Sequence, residues 1–152
     1  MVQLNRQVAG MSMATPLPER VLQFGEGGFL RAFVDWMFHE MNSRKLFNGR
    51  IVAVQPIADG MVPVLNQQEG LFTLLLRGLK DGQPTEETAI ISSISRGINP
   101  YTQWNEYLQC AEDPAMEFIV SNTTEAGIAY EGADRPDMTP PASFPAKLAV
   151  YL

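Results

Sequence analysis

Two short apolar runs near the start of the chain, with a helical pattern between them, predict a strand–helix–strand unit. Residues 21–24 and 51–54 are mostly apolar or β-branched and stop at glycine and at Gln-Pro, as buried strands do. Between them, apolar residues recur every three or four positions from Phe29 to Met41, which is typical of an amphipathic helix. Such a unit brings its two strands together in parallel through a right-handed crossover.

The polar residues of this helix predict a second face. Arg31, Asp35 and His39 follow one another at four-residue steps, away from the apolar stripe. We expect this side of the helix to be solvated, with His39 part of it rather than of a catalytic site.

The middle of the chain predicts an excursion from the alternating pattern. Residues 71–77 and 89–94 have the composition of strands, and residues 80–82, Lys-Asp-Gly, form a turn signal between them. A helical pattern around Tyr107 and an apolar run at residues 117–120 then resume the alternation. The predicted fold class is α/β, with a mostly parallel sheet, flanking helices and a hairpin-like excursion.

The domain organisation follows from length and from the two ends of the chain. A length of 152 residues fits one domain, and 45% hydrophobic with 18% charged residues is a globular composition. Residues 1–18 are expected to be a flexible N-terminal extension, and residues 19–152 the folded domain. Residues 146–152 begin an apolar helix without a polar tail, so we expect the domain to be truncated at its C-terminal end.

Composition narrows the functional classes. The formal net charge of −6 argues against nucleic acid as a partner, and no apolar run is long enough to span a membrane. A lone cysteine, Cys110, fits a reducing cytoplasm. One cysteine and one histidine do not predict a zinc cluster, so no metal site is expected.

The glycines after the first predicted strand are the strongest candidate site. Gly25 permits a sharp turn, Gly27 lets the backbone approach a pyrophosphate, and the following helix N-terminus attracts an anion. Leu30 stands at the third position of Gly-x-Gly-x-x-Gly, so that the dinucleotide fingerprint is incomplete, and Gly28 lies at a different spacing. The predicted cofactor-binding residues here are Gln23, Phe24, Gly25, Glu26, Gly27, Gly28, Phe29, Leu30 and Arg31.

The residues that follow the second predicted strand bear on the identity of the cofactor. Dinucleotide enzymes often carry Asp or Glu at the end of the second strand, where this chain has Gln55, with Asp59 shortly after. No arginine follows closely to bind a 2′-phosphate, which favours NAD over NADP, with Gln55 on the ribose. Arg31 either contacts a phosphate or forms a surface ion pair with Asp35.

A polar segment follows the predicted strand at residues 117–120. Asn122, Thr123 and Thr124 would lie beyond the carboxyl end of that strand, where ligands of open α/β sheets bind, and could face the nicotinamide half of a cofactor. The alternative is a turn capped by local hydrogen bonds. A strand, a Gly-x-Gly turn and a helix also occur in S-adenosylmethionine-dependent methyltransferases, and a folded domain that binds nothing is a further alternative.

Taken together, several stretches resemble the mannitol dehydrogenase family, and within it the tagaturonate reductase branch. Residues 21–36 (VLQFGEGGFLRAFVDW) contain the Gly-x-Gly-x-Phe-x-Arg-Ala pattern of the family, in which the third glycine is also absent. Residues 68–73, 121–128 (SNTTEAGI) and 143–148 fit in the same order, and residues 121–128 favour the uronate branch. Gly28 departs from the pattern, because relatives commonly have Asn there.

The resemblance implies a Rossmann-type NAD domain, followed in relatives by a mostly helical substrate domain that is absent from this chain. It implies hydride transfer between NADH and the keto group of D-tagaturonate, giving D-altronate, a small sugar acid of hexuronate breakdown. The catalytic lysine of the family lies in the later part, and Lys147 does not match its motif, so no catalytic residue is expected here. A mannitol-type polyol dehydrogenase is the alternative within the family.

Overall fold

The computed structural model of the chain describes residues 3–11 and 17–152. The strands are β1 (Glu19–Phe24), β2 (Arg50–Val54), β3 (Phe72–Lys80), β4 (Gln83–Ile91), β5 (Ile94–Ile98) and β6 (Phe118–Ser121). Four of them form a parallel sheet with the strand order β5-β2-β1-β6, beside a two-stranded antiparallel hairpin, β3-β4. The predicted α/β class with a mostly parallel sheet and a hairpin is therefore confirmed.

Helices cover both faces of the parallel sheet. The first, α1, is continuous: it begins as Gly28–Leu30, passes through a π-helical segment, Arg31–Asp35, and ends as Trp36–Ser43. The others are α2 (Val62–Gln67), α3 (Trp104–Glu112) and α4 (Phe144–Tyr151), with a 3₁₀ turn at Glu125–Ile128. Within the described ranges, none of these helices has the length and apolarity needed to cross a bilayer.

The core lies in two layers because the sheet is covered on both faces. On one face, Leu22 and Phe24 of β1 pack with Tyr107 of α3 and Tyr151 of α4. On the other, Val21 packs in a cluster that includes residues of β2, α1 and the hairpin. Successive residues of a strand point to opposite faces, so burial on both sides explains why the apolar runs of β1 and β2 are nearly continuous rather than alternating.

The hairpin follows the sequence prediction at its turn but not at its end. Asp81 and Gly82 both have positive φ, 53° and 76°, which matches the right-handed twist of the paired strands. The returning strand was predicted to reach Ile94, and this is wrong: β4 ends at Ile91. Ile94 instead pairs with Ile51 in the parallel sheet, so the chain passes from one sheet to the other at residues 92–93.

The buried and exposed faces of helix α1 differ from the prediction. Asp35, predicted on a solvated face, is fully buried, whereas Phe29 and Phe33 of the apolar stripe are exposed and stack on each other. His39 is half-buried and accepts a hydrogen bond from the backbone N–H of Ser92 at 3.3 Å. Asp35 lies within the π-helical segment, whose wider turn departs from the regular helical period on which the predicted faces were based.

The start of the chain contacts the domain through described residues. The backbone N–H of Arg6 donates to Glu69 Oε2 at 2.7 Å, and Gln3 Nε2 donates to Gln67 Oε1 at 3.2 Å. Residues 1–2 and 12–16 of the predicted extension lie outside the described residues. That residues 1–18 form a flexible extension stays a prediction.

Candidate functional site

The candidate residues meet at one edge of the parallel sheet. Phe24 at the end of β1 is in register with Val54 of β2 on one side and with Ser121 of β6 on the other. The segments that follow these three strands therefore begin side by side. They are the glycine turn after β1, Gln55 after β2 and the polar residues 122–124 after β6. This is the edge at which open α/β sheets bind their ligands.

Gly25 makes the turn between β1 and α1. Its φ of +112° is one that residues with a side chain rarely adopt, and a Cβ built there would lie 3.0 Å from Leu30 Cδ1. Its N–H donates to the carbonyl oxygen of Val54 at 2.8 Å, which fixes the turn against β2. The turn is thus anchored to β2 at the sheet edge.

Gly27 and Gly28 lead from the turn into the helix and are exposed. A Cβ built on either glycine would meet no atom of the described residues within 4 Å, which leaves open space above this part of the backbone. Gly27 is the N-cap of α1 and has no side chain to satisfy the first N–H groups, which lack partners inside a helix. The turn therefore presents free donors and the positive end of the helix to that space.

Three of the predicted cofactor-binding residues lie beneath this surface. Gln23, Phe24 and Leu30 are each at most 2% exposed. Gln23 Nε2 donates to the carbonyl oxygen of Gly25 at 3.1 Å and lies 3.4 Å from Asp35 Oδ2, while Phe24 and Leu30 are apolar core. These residues shape the turn from below, whereas Phe29 is 62% exposed beside it.

Asp35 is a part of the site that the sequence did not predict. Burial raises the pKa of this carboxyl from 3.8 to about 7, partly opposed by the hydrogen bond from Gln23 and by the charge of Arg31. Asp35 Oδ1 and Gln23 Oε1 are both buried with no hydrogen-bond partner among the described residues. A proton on Asp35 would turn one of these acceptors into a donor. The only sequence signal was the four-residue spacing with Arg31, which indicated the wrong face.

Gln55 and Glu26 hold the loop that follows β2. Gln55 is buried; its Nε2 donates to the carbonyl oxygens of Ile57 and Ala58, both at 2.8 Å, and its Oε1 accepts from Val62 N at 3.3 Å. Glu26 is only 7% exposed, and its Oε1 accepts from Met61 N at 3.1 Å. Both predicted side chains therefore reach the same loop, a long-range arrangement that local patterns do not reveal.

The polar segment after β6 is exposed and reaches the glycine turn. Asn122 Oδ1 lies 3.5 Å from the Cβ position of Gly25. The hydroxyls of Ser121 and Thr123 bond to each other, and Thr124 is the N-cap of the 3₁₀ turn. Local capping, the alternative interpretation, thus accounts for Thr123, while Asn122 stays directed at the turn.

Arg31 carries positive charge at the start of α1. Its guanidinium carbon lies 5.6 Å from the ring centroid of Phe72, and its Nε is buried without a hydrogen-bond partner among the described residues. The alternative ion pair with Asp35 is not among those formed within the described ranges. Arg31 therefore has unused hydrogen-bonding capacity next to the turn.

A parallel sheet whose first strand passes through a glycine turn into a helix, with a polar segment beside it, defines the Rossmann class of nucleotide-binding domains. The chain belongs to the mannitol dehydrogenase family: the family's Rossmann domain matches residues 19–152. The resemblance that residues 21–36 carried is thereby confirmed.

Relatives and solved structures agree with this assignment. The chain is 51% identical over 142 residues to an altronate oxidoreductase of Halalkalibacterium halodurans, and 46% identical over 138 residues to one of Bacillus subtilis; each match covers 91% of the chain. The chain spans only 27% and 29% of these relatives.

Among solved structures, the fold resembles Pseudomonas fluorescens mannitol 2-dehydrogenase, described as a ternary complex with NAD and D-mannitol, with a TM-score of 0.67 and 22% identity. It also resembles a D-sorbitol dehydrogenase, with a TM-score of 0.70 and 14% identity. These matches cover 83% and 87% of the chain, and 27% and 29% of the solved chains. At such identities the likeness concerns the fold.

Proposed function

We propose that this chain is the NAD-binding domain of an oxidoreductase that interconverts D-tagaturonate and D-altronate in cytoplasmic hexuronate breakdown. The observation that carries the nucleotide part is the open space above Gly27 and Gly28 at the N-terminus of α1. The substrate part is supported by relatives named altronate oxidoreductase at 46–51% identity, of which the chain spans less than a third.

The residues at the sheet edge fit a dinucleotide. The backbone N–H groups that follow Gly27 would donate to the pyrophosphate. Arg31, whose buried Nε has no hydrogen-bond partner among the described residues, supplies positive charge beside them. Asn122, which faces the turn from β6, would mark the side on which the nicotinamide half lies. When bound, the cofactor supplies the hydride chemistry, and this domain's part is to bind and orient it.

The acid–base group of the reaction is expected outside these 152 residues. Lys147 is 1% exposed, and its Nζ donates to the carbonyl oxygen of Ala142 at 2.6 Å and to Tyr101 Oη at 3.1 Å. A lysine held in this way inside the domain is a structural cation. We therefore expect the 152-residue chain alone to give no turnover.

The nucleotide part is tested by titrating the full natural chain that contains these residues with NADH and with S-adenosylmethionine, following nucleotide fluorescence and thermal stability. NADH is expected to bind and to raise the melting temperature. Binding of S-adenosylmethionine alone would refute the proposal in favour of the methyltransferase alternative. A melting temperature unchanged by millimolar NADH would favour a domain that binds nothing.

The substrate part needs a separate assay on the same full chain. NAD-dependent oxidation of D-altronate is expected to exceed oxidation of D-mannitol. The opposite preference would assign the chain to a mannitol-type polyol dehydrogenase, while leaving the NAD-binding part intact.

A further inference from the structure

The residue at the end of β2 does not have the chemistry that NAD-binding domains usually place there. An Asp or Glu at this position accepts hydrogen bonds from the ribose hydroxyls and repels a 2′-phosphate. Gln55 is neutral and 1% exposed, and its amide is engaged by the loop: Nε2 bonds to two carbonyl oxygens and Oε1 to the N–H of Val62. It therefore has little left to offer a ribose.

A carboxylate from another element lies at the same place. The Cβ that Gly60 lacks would lie 2.6 Å from Gln55 Cδ and would overlap Glu26 Oε1, so both side chains border one point of the loop after β2. Glu26 reaches it from the glycine turn, where it stands between Gly25 and Gly27. The acidic group thus comes from the turn that follows β1.

One carboxylate oxygen of Glu26 is held by a hydrogen bond, and the other is available to a ligand. Oε1 accepts from the N–H of Met61 at 3.1 Å, and the side chain is 7% exposed. Across the described part of the chain, Oε2 accepts no hydrogen bond. A nearly buried carboxylate is weakly screened by solvent, so its effect on a neighbouring charge is stronger than that of Asp59, which lies on the exposed part of the loop.

We propose that Glu26 is the residue that selects NAD over NADP, accepting from the adenosine ribose with Oε2 and repelling a 2′-phosphate. This inference rests on the proposed function, because it assumes that the dinucleotide lies across the glycine turn. Arg31 lines the same crevice as Glu26. Once the Glu26 carboxylate is neutralised, the guanidinium of Arg31 would attract the 2′-phosphate of NADP.

The test compares NADH and NADPH on the full natural chain by nucleotide fluorescence. Glu26→Gln keeps an oxygen for the Met61 N–H but removes the charge. The ratio of the NADPH to the NADH dissociation constant is expected to fall about tenfold or more, since like charges at close range strongly oppose binding. Asp59→Asn, the matched change on the exposed loop, is expected to leave the ratio as in the wild type.

A second variant keeps the inference testable if Glu26→Gln fails to fold. Glu26→Asp retains the charge and is expected to retain the preference for NADH. An unchanged ratio in Glu26→Gln, a lost preference in Glu26→Asp, or a wild type without preference would each overturn the role of Glu26. A wild type that binds neither nucleotide would instead mean that the proposed function itself has failed.

Discussion

Gln23 and Asp35 join the first strand to the first helix below the glycine turn. Gln23 Nε2 lies 3.4 Å from Asp35 Oδ2 and also donates to the carbonyl oxygen of Gly25. Both side chains are fully buried. The geometry of the turn therefore depends on a contact whose character changes with the protonation of Asp35.

Asp35 should make the domain less stable as the pH rises. Its pKa of about 7 in the folded protein lies above the ordinary value of 3.8, so the folded state binds the proton more tightly than the unfolded state. The resulting stabilisation is complete below about pH 4 and is lost as the pH rises through about 7. In Asp35→Asn, which is neutral at every pH, the free energy of unfolding near pH 8 should exceed that of the wild type by about 1–4 kcal/mol.

Urea denaturation between about pH 5 and pH 9 measures this effect. The advantage of Asp35→Asn should shrink toward the acid end of the range. Asp59→Asn, on an exposed loop, is the matched control and should follow the wild type. Parallel pH dependences for the wild type and Asp35→Asn would show that Asp35 is not a buried acid of raised pKa.

Gly25→Ala should destabilise the fold. Alanine would have to adopt a φ of +112° with its Cβ 3.0 Å from Leu30 Cδ1. Strain of this kind costs about 1–3 kcal/mol, to be measured as a loss in the free energy of unfolding. Gly78 lies in β3, where the built Cβ has no atom within 4 Å across the described ranges, so Gly78→Ala should change the free energy of unfolding by less than about 0.5 kcal/mol. Equal effects of the two substitutions would refute the account of the turn.

Lys147→Met should reduce stability without a specific effect on turnover. The substitution removes the hydrogen bonds that the buried Lys147 Nζ donates to Ala142 O and Tyr101 Oη, and their loss costs about 1–3 kcal/mol. In the full natural chain, the turnover number of the folded variant should stay within about threefold of the wild type. Lys80→Met, at the exposed end of the hairpin, is the control for loss of charge. A turnover number that falls by orders of magnitude in a folded Lys147→Met protein would make Lys147 catalytic.

Local sequence patterns were sufficient to predict which segments lie at the edge of the sheet. The apolar runs of β1 and β2 and the glycines between them predicted the strand, turn and helix that the structure contains. Parallel pairing then places the turn, Gln55 and residues 122–124 at one edge without further information. That these residues contact a cofactor stays a prediction.

The features that the sequence did not predict depend on helix geometry and tertiary packing. Asp35 is buried within a π-helical segment while Phe29 and Phe33 are exposed, an outcome that a regular helical period does not predict. The hydrogen bonds of Gln55 and Glu26 depend on the path of the loop after β2. The path of such a loop cannot be predicted from the sequence, because the loop has no periodic pattern of apolar residues.

If the backbone at Gly27 receives the pyrophosphate, one pair of titrations should show it most directly. Gly27 has an ordinary φ of −70° and open space around its missing Cβ, so Gly27→Ala should fold normally while its methyl group obstructs the nucleotide. In the full natural chain, the dissociation constant for NADH should rise at least about tenfold with an unchanged melting temperature, while Gly78→Ala alters neither. NADH binding by Gly27→Ala with wild-type affinity would contradict the claim.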